Sequence, residues 1–182
     1  GYDNTVTVID VATFDSIASI TVEWNPQQIV VSGDSVYLLA NGQYDEEWHC
    51  PYYVQSIDVE SRTARTITNA THAVAYDGTL YLCYSATDWT TYETVNTFFT
   101  YDVATATLSN QSFLKGDTVE IATNSVYMME VNPKNGELYI GLAGNKFVSS
   151  GVIHRFEKDG TPIHRFDVQG PNPNQAAFVN YQ

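Results

Sequence analysis

The sequence predicts an all-β fold built from repeated four-stranded units, on three observations. A motif of an acid, Val, any residue and then Ser or Thr recurs within residues 8–13, 56–61 and 100–105, with a weaker copy at 155–160. A triplet of aliphatic residue, Tyr and aliphatic residue follows a turn at 36–38, 80–82 and 138–140. Aromatic and β-branched residues, which favour strands, occur throughout, and no segment keeps a helical period. A period of roughly 40–50 residues built from short strands is typical of a β-propeller.

Individual strands follow from apolar and polar residues that alternate between turn signals. The clearest hairpin lies around Asp77-Gly78, because Asp-Gly between alternating segments is a strong hairpin signal. We expect strands at 5–11, 17–22, 28–31, 36–40, 52–59, 64–68, 72–76, 80–84, 98–103, 107–113, 126–131, 137–142, 152–157, 161–168 and 176–180.

Grouped in fours, these strands give about three full blades in a single partial propeller domain spanning residues 1–182. The expected blades are 28–69, 72–113 and 126–168. Segments 5–22 and 176–180 are left to share a further blade, which would lack the strand next to its innermost one. The sequence is therefore expected to be a piece of a longer propeller, or to complete its ring with another copy of the chain.

Composition excludes some partners. The 182 residues include 21 acids and 8 bases, a net charge of −13, which argues against nucleic acid because phosphate binding needs a basic face. No apolar run approaches the ~20 residues of a membrane-spanning helix, so we expect no membrane-spanning segment. Cys50 and Cys83 fall in different repeats and are expected to be ordinary thiols rather than a disulfide. No cofactor is expected.

The repeats resemble those of YncE-like, surface-layer-type bacterial propellers, in which Ile or Tyr, Asp and Val open the connection between the two outer strands. The matching residues are Ile9-Asp10-Val11, Ile57-Asp58-Val59 and Tyr101-Asp102-Val103. The resemblance implies a bacterial surface protein in an extracytoplasmic location, the periplasm or the cell surface, and relatives are often lipoproteins. Some relatives capture glycans or cobalamin-type nutrients. The motif specifies a blade rather than an activity, so no catalytic residue is transferred.

Propeller geometry places the short connections on one face and the long ones on the other. The long connections, which join the second to the third strand of a blade or one blade to the next, are 42–51, 86–95, 144–150, 23–26, 114–125 and 169–175. Aromatic side chains beside amides and acids can stack on a sugar ring while hydrogen-bonding its edge. The predicted ligand-binding residues are Trp48, Trp89, Tyr44, Tyr92, His49, Trp24 and Asn172. The competing interpretation is that each Trp fills a gap between blades.

Two further clusters of residues have both a structural and a functional interpretation. Asp45-Glu46-Glu47 with His49 and Cys50 resembles a metal site in composition, but the spacing matches no known pattern, which favours a solvated acidic loop. The doubled Ile-His-Arg-Phe at 153–156 and 163–166 predicts a hairpin pairing Arg155 with His164 and His154 with Arg165. That hairpin is either a self-association surface or an ordinary outer-strand ladder.

The sequence leads to the hypothesis of a non-enzymatic module that binds a carbohydrate, a cobalamin-type nutrient or a protein through the aromatic loop face. One alternative is a structural module that completes a propeller as a homo-oligomer or with another chain. A less favoured alternative is a metal-dependent hydrolase or lactonase. No nucleophile, metalloprotease or phosphate-loop motif is present in the sequence.

Overall fold

The chain is nearly all β in a computed structural model, which describes residues 3–46 and 50–179. The strands are β1 (Thr5–Ile9), β2 (Ser16–Thr21), β3 (Pro26–Ser32), β4 (Ser35–Asn41), β5 (Tyr52–Asp58), β6 (Thr63–Thr68), β7 (His72–Tyr76), β8 (Thr79–Thr87), β9 (Thr94–Asp102), β10 (Thr107–Ser109), β11 (Val126–Val131), β12 (Leu138–Leu142), β13 (Val152–Phe156) and β14 (Pro162–Asp167). A one-turn helix, α1 (Val119–Thr123), and a 3-10 turn at Asn145–Phe147 lie in two of the connections.

The strands form three antiparallel four-stranded sheets and one two-stranded sheet. The orders are β3-β4-β5-β6, β7-β8-β9-β10, β11-β12-β13-β14 and β1-β2. Each four-stranded sheet runs up and down in chain order, as a propeller blade does. The fold is therefore a partial β-propeller of three four-stranded blades and a partial blade, as the sequence predicts.

The contacts cluster into two compact units, Gly1–Thr71 and His72–Gln182. In the first unit, Ile20, Val22, Leu38 and Ile57 form a buried cluster. In the second unit, two four-stranded sheets share a larger apolar core that contains fully buried Leu138. Among the described residues, the core of each unit thus lies between β-sheets.

The strands expected at 80–84 and 98–103 are longer in the structure, as β8 and β9, and two other strand predictions fail over much of their length. The strand expected at 107–113 ends at Ser109, and Phe113 instead packs edge-on against Tyr81, with ring centroids 5.1 Å apart. No strand forms at 176–179, where Phe178 packs against Tyr139 at 5.1 Å, and position 180 lies outside the described residues. In both places aromatic packing replaces the backbone pairing that alternation suggested.

The doubled hairpin pairs as predicted. His154 lies opposite Arg165, and Arg155 lies opposite His164. Its positive charge is neutralised locally, because both Arg155 guanidinium contacts go to Glu137, at 2.7 and 2.9 Å. The structure therefore confirms the predicted pairing and shows that the charge of Arg155 is balanced by Glu137.

The repeated aspartate of the motif shapes the turns that follow β1, β5 and β9. The carboxylates of Asp10, Asp58 and Asp102 each accept a hydrogen bond from the backbone N–H three residues later, at 2.9, 2.9 and 2.7 Å. These backbone donors are the largest cause lowering the pKa of Asp10 and Asp58. For Asp102 the largest cause is the Thr105 hydroxyl. The motif around which the sequence repeats is thus a turn-capping device, which accounts for it without any catalytic role.

A glycine turn between β11 and β12 packs directly against the neighbouring sheet. Gly136 has φ +77°, in the left-handed region that glycine adopts without strain. A methyl group added there would lie 2.5 Å from the ring of Tyr76 in β7. Gly78, in the β7–β8 turn, has the similar φ of +75°, but an added methyl there meets nothing within 4 Å.

These two glycines allow backbone strain to be separated from packing. Gly78→Ala should lower the free energy of unfolding by about 1 kcal/mol, the cost of a left-handed side chain. Gly136→Ala should cost a further ~1–3 kcal/mol, because the methyl overlaps the Tyr76 ring. Urea unfolding of both variants and the parent measures the difference. Equal losses in the two variants would contradict the packing described for Gly136.

Candidate functional site

The predicted site residues fall in both units and in the gap between the described ranges. Trp48 and His49 lie outside the described residues, as does Glu47 of the acidic loop. In the first unit Tyr44 is exposed, and Trp24 is 37% exposed. The turn that follows Trp24 is tied down by the Asn25 side-chain amide, which donates to the carbonyls of Asn41 and Gly42 at 3.3 and 3.2 Å. Trp89, Tyr92 and Asn172 belong to the second unit.

Trp89 begins a row of aromatic side chains in the second unit. It lies in the tight turn between β8 and β9, and it is 67% exposed. Its ring stacks on Phe147, with centroids 5.3 Å apart and planes 28° apart. Phe147 in turn contacts Tyr127 of β11 at 5.8 Å. Trp89, Phe147 and Tyr127, which are distant in sequence, thus form one partly exposed row of aromatic side chains, which we call the Trp89 row.

The turn that carries Trp89 is rigid. Its first residue, Asp88, accepts hydrogen bonds on one carboxylate oxygen from the backbone N–H groups of Thr90 and Thr91, at 2.7 and 3.1 Å. The Asp88 carbonyl also accepts from the Tyr92 N–H at 2.7 Å. The two bonds to the carboxylate lower the pKa of Asp88, the one from Thr90 most, and they favour its charged form within the turn. The exposed indole therefore projects from a fixed backbone.

Two aromatic residues, one in the row and one beside it, adopt the left-handed backbone conformation. Tyr92 has φ +62° and Phe147 has φ +61°. A bulky side chain in this region costs on the order of 1 kcal/mol or more, and such residues concentrate at functional sites. Both residues line the same cleft. The strain is thus located where the aromatic row meets the cleft.

The cleft itself has a volume of about 130 Å³. The β8–β9 turn, the end of α1 and the β12–β13 connection surround it. Among the side chains that the structure describes, those that line the cleft carry no formal charge: Thr91, Tyr92, Thr94, Thr123, Asn124, Ser125, Ala143, Gly144, Asn145 and Phe147. Hydroxyl and amide groups, together with aromatic carbon, are thus the groups offered to an occupant.

Two hydroxyl residues of the cleft wall, Thr94 and Ser125, form a cluster with Thr87 behind them. Ser125 Oγ lies 2.6 Å from Thr87 Oγ1 and 3.0 Å from Thr94 Oγ1, and the two threonine oxygens are 2.9 Å apart. Each hydroxyl has one proton and two lone pairs. The three groups therefore satisfy one another's donors and leave acceptor capacity for further hydrogen bonds.

The connection that carries Ser125 is held by two side chains. The Asn96 amide of β9 donates to the carbonyls of Ile121 and Asn124, at 2.6 and 2.7 Å. Glu120 of α1 accepts two hydrogen bonds from Arg165, both at 2.9 Å, and one contact from His154 at 3.0 Å. The pKa of Glu120 is lowered, chiefly by Arg165. Residues 119–125 are thus fixed to β9 on one side and to the β13–β14 hairpin on the other.

Asn172 does not line the cleft but lies near one of its lining residues. Its neighbour Pro171 accepts a hydrogen bond from the Gly144 N–H at 2.7 Å. The Asn172 side-chain oxygen is buried and has no hydrogen-bond partner within the described part of the chain. Asn172 thus adjoins the residue that anchors the β12–β13 connection.

Among the residues that the structure describes, neither a metal-binding site nor a site for thiol chemistry is assembled. Over residues 3–46 and 50–179, no group of three or more His, Cys, Asp or Glu side chains is arranged to hold a metal ion. Cys50 and Cys83 are not joined in a disulfide. Burial raises the pKa of both, and Cys83 is fully enclosed in the core of the second unit. In the same described ranges, no helix is long and apolar enough to cross a membrane.

Comparison with known proteins supports the fold. No protein-family model matches the sequence, and no curated protein matches it. Among solved structures, hydrazine synthase from Kuenenia stuttgartiensis is similar, with a TM-score of 0.64 and 14% sequence identity. The match covers 91% of this chain and 43% of that chain, so this chain spans less than half of its length. At this identity the similarity is one of fold alone.

The sequence names Trp89 and Tyr92 as candidate site residues and gives no role to Phe147 or Tyr127. The structure brings these two residues to Trp89 from positions far along the chain, because Phe147 stacks on the indole and in turn contacts Tyr127. A single sequence carries no signal for that proximity.

The histidine behind the Trp89 row gives a test by pH. His72 of β7 is largely buried, and this burial lowers its pKa from 6.5 to about 4, partly offset by a hydrogen bond to the backbone of Tyr127. The folded state therefore resists protonation that the unfolded chain accepts. The stabilisation is complete above pH 6.5 and is lost as the pH falls towards 4, by up to about 3 kcal/mol.

Denaturant unfolding measured every half pH unit from 7.5 to 4 tests this account. The parent should lose stability steadily between 6.5 and 4, and His72→Gln should flatten that slope. A His72→Gln variant with the parent's slope would contradict the assignment of the pH dependence to His72.

Proposed function

We propose that the chain is a non-enzymatic binding module whose ligand is a neutral carbohydrate, held in the cleft beside the Trp89 row. The observation that supports this most is the combination of an exposed indole on a hydrogen-bonded turn with a cleft whose described lining side chains are uncharged. The partial propeller fold does not by itself indicate an activity. The proposal therefore rests on the chemistry of the site.

Carbohydrate chemistry matches both parts of the site. The carbon–hydrogen face of a sugar ring packs on an aromatic ring, and the outer face of Trp89 is open to solvent while Phe147 supports the other side. Ring hydroxyls pair with hydroxyl and amide side chains, which is what Thr91, Thr123 and Asn145 offer. The net charge of −13 disfavours an anionic ligand by long-range repulsion.

The size of the cleft selects among the ligands considered from sequence. A volume of about 130 Å³ is below the roughly 300–1,000 Å³ of pockets for drug-sized molecules. The cleft suits about one sugar ring, with further rings of an oligosaccharide extending along the exposed aromatic row. A corrinoid is much larger than the cleft, so a cobalamin-type nutrient is the weaker proposal.

The kind of side chain that lines the cleft supports binding rather than catalysis. Of the described residues that line it, none is a carboxylate, histidine or cysteine, so its hydroxyl groups have no carboxylate or histidine beside them in the lining to act as a general base. We place the module outside the cytoplasm, at the surface or in the periplasm of a bacterium. That placement rests on the resemblance of its repeats to YncE-like, surface-layer-type propellers.

The experiment is a calorimetric titration with neutral mono- and oligosaccharides. We expect saturable binding of one sugar class, and we expect Trp89→Ala to weaken it about tenfold or more because the stacking surface is removed. Asn145→Ala should weaken binding less. Phe14→Ala provides the matched control, since Phe14 is also an exposed aromatic side chain with φ +60° but lies in a turn of the first unit.

The spectra and melting temperatures of all variants should match the parent, because Trp89 makes little core contact. Saturable sugar binding that survives Trp89→Ala unchanged would contradict the site. Binding of no neutral sugar at millimolar concentration would contradict the ligand class.

A further inference from the structure

The sequence contains two Asn-Gly pairs, Asn41-Gly42 and Asn135-Gly136. In such a pair the backbone nitrogen of the glycine can attack the side-chain amide carbon of the asparagine, and the missing Cβ of glycine leaves that nitrogen accessible. The product is a five-membered succinimide ring, which water opens to an acid. Whether a pair reacts in the folded chain depends on its hydrogen bonds and its access to water, and these differ between the two pairs.

The first step of this reaction is favoured at Asn135. This residue is exposed in the turn between β11 and β12, and its Oδ1 accepts a hydrogen bond from the Glu137 N–H at 3.1 Å. The ring closed by that bond contains the two atoms that react, Cγ of Asn135 and the nitrogen of Gly136. The bond also withdraws electrons from Cγ and stabilises the negative charge that develops on Oδ1 during the attack. The turn therefore prepares the side-chain amide for attack.

The attacking nitrogen is held only by the turn itself. The Gly136 N–H donates to the Asn132 carbonyl at 2.9 Å, and Asn132 is the first residue of the same turn. Lys134 and Asn135, which lie between them, are both exposed. Hydrogen bonds within exposed turns open at a low free-energy cost, without separation of the strands that they connect. The Gly136 nitrogen is thus freed by a local movement.

Asn41 is held in a different way. It is the last residue of β4 and lies opposite Tyr52 of β5. Its N–H donates to the Asn25 carbonyl at 3.0 Å, and its carbonyl accepts from the Asn25 side-chain amide at 3.3 Å. The Gly42 N–H donates to the Pro51 carbonyl at 2.6 Å, beyond the end of the β4–β5 ladder. Reaction at Asn41 therefore requires this end of the sheet to open.

We propose that Asn135 is a site of spontaneous covalent modification, at which the side-chain amide is converted to a carboxylate through a succinimide formed with Gly136. In the first step the Gly136 nitrogen loses its proton and bonds to Cγ of Asn135. The Cγ–Nδ2 bond breaks, and ammonia leaves with that proton. In the second step a water molecule adds to one of the two ring carbonyls, and the ring C–N bond at that carbonyl breaks. Water is consumed and ammonia is released, with no oxidation or reduction.

The packing of the turn selects between the two possible products. Ring opening at one carbonyl gives aspartate, and opening at the other gives isoaspartate, which adds a methylene group to the backbone. A longer backbone would displace Gly136, where an added methyl group would already lie 2.5 Å from the Tyr76 ring. It would also displace Glu137, whose carboxylate is paired with Arg155 at 2.7 Å. Aspartate keeps the oxygen that accepts from the Glu137 N–H, so we expect the folded chain to favour aspartate.

Incubation of the folded chain in mildly alkaline buffer, followed by peptide mass spectrometry, tests the proposal. In the folded chain Asn135 should convert about tenfold or more faster than Asn41, because Asn41 waits for the sheet end to open. In concentrated urea the two pairs should react at similar rates, and a larger share of the product at position 135 should be isoaspartate. Asn135→Gln is the matched control: its longer side chain cannot form the five-membered ring, so position 135 should stay unmodified while Asn41 keeps its rate.

A folded chain in which Asn135 reacts no faster than Asn41 would overturn the proposal. So would conversion of Asn135→Gln at the rate of the parent. The same product ratio in the folded chain and in urea would contradict the role given to the packing of the turn.

This outcome is separate from that of the proposed function. The cleft is lined by Ser125, which precedes β11, and by Ala143, which follows β12, so the turn lies at the other end of these two strands. Asn135→Asp, which carries the charge of the product, should bind neutral sugars as the parent does.

Discussion

The up-and-down order of the strands within each sheet is the constraint on which the rest of the structure depends. In an antiparallel meander, alternate connections fall at opposite ends of the sheet. In the second unit this brings the β8–β9 turn, the segment ending in Ser125 and the β12–β13 connection to one end, where they surround the cleft. The aromatic row and the hydroxyl cluster follow from that arrangement.

The two ends of the sheets are built by different chemistry. At one end, Asp58 and Asp102 cap short turns, because their carboxylates accept hydrogen bonds from backbone N–H groups. At the other end, longer connections are fixed by side chains such as Asn96 and Glu120. Repetition in the sequence therefore marks the structural end, and the non-repeated residues mark the end that can differ in function.

The sequence predicted the elements whose determinants are local. Alternation and the Asp-Gly turn located β7 and β8, and the doubled motif fixed the register of His154 with Arg165. Prediction failed where tertiary contacts override alternation, as for Phe113 and the segment ending at Val179. Of the candidate site, the sequence indicates Trp89, because it is an aromatic residue in a loop. It does not indicate the stacking of Trp89 on Phe147, which lies 58 residues away in the chain.

The most direct test of the carbohydrate-binding cleft is a map of backbone and indole amide resonances by nuclear magnetic resonance during titration with a neutral oligosaccharide. The account predicts saturable shifts at the Trp89 indole and in the segments 87–94, 123–127 and 143–147, with the rest of the chain unaffected. Shifts that cluster elsewhere, such as around the first unit's Tyr44, would contradict the location of the site. A spectrum unchanged by every neutral sugar would contradict its chemistry.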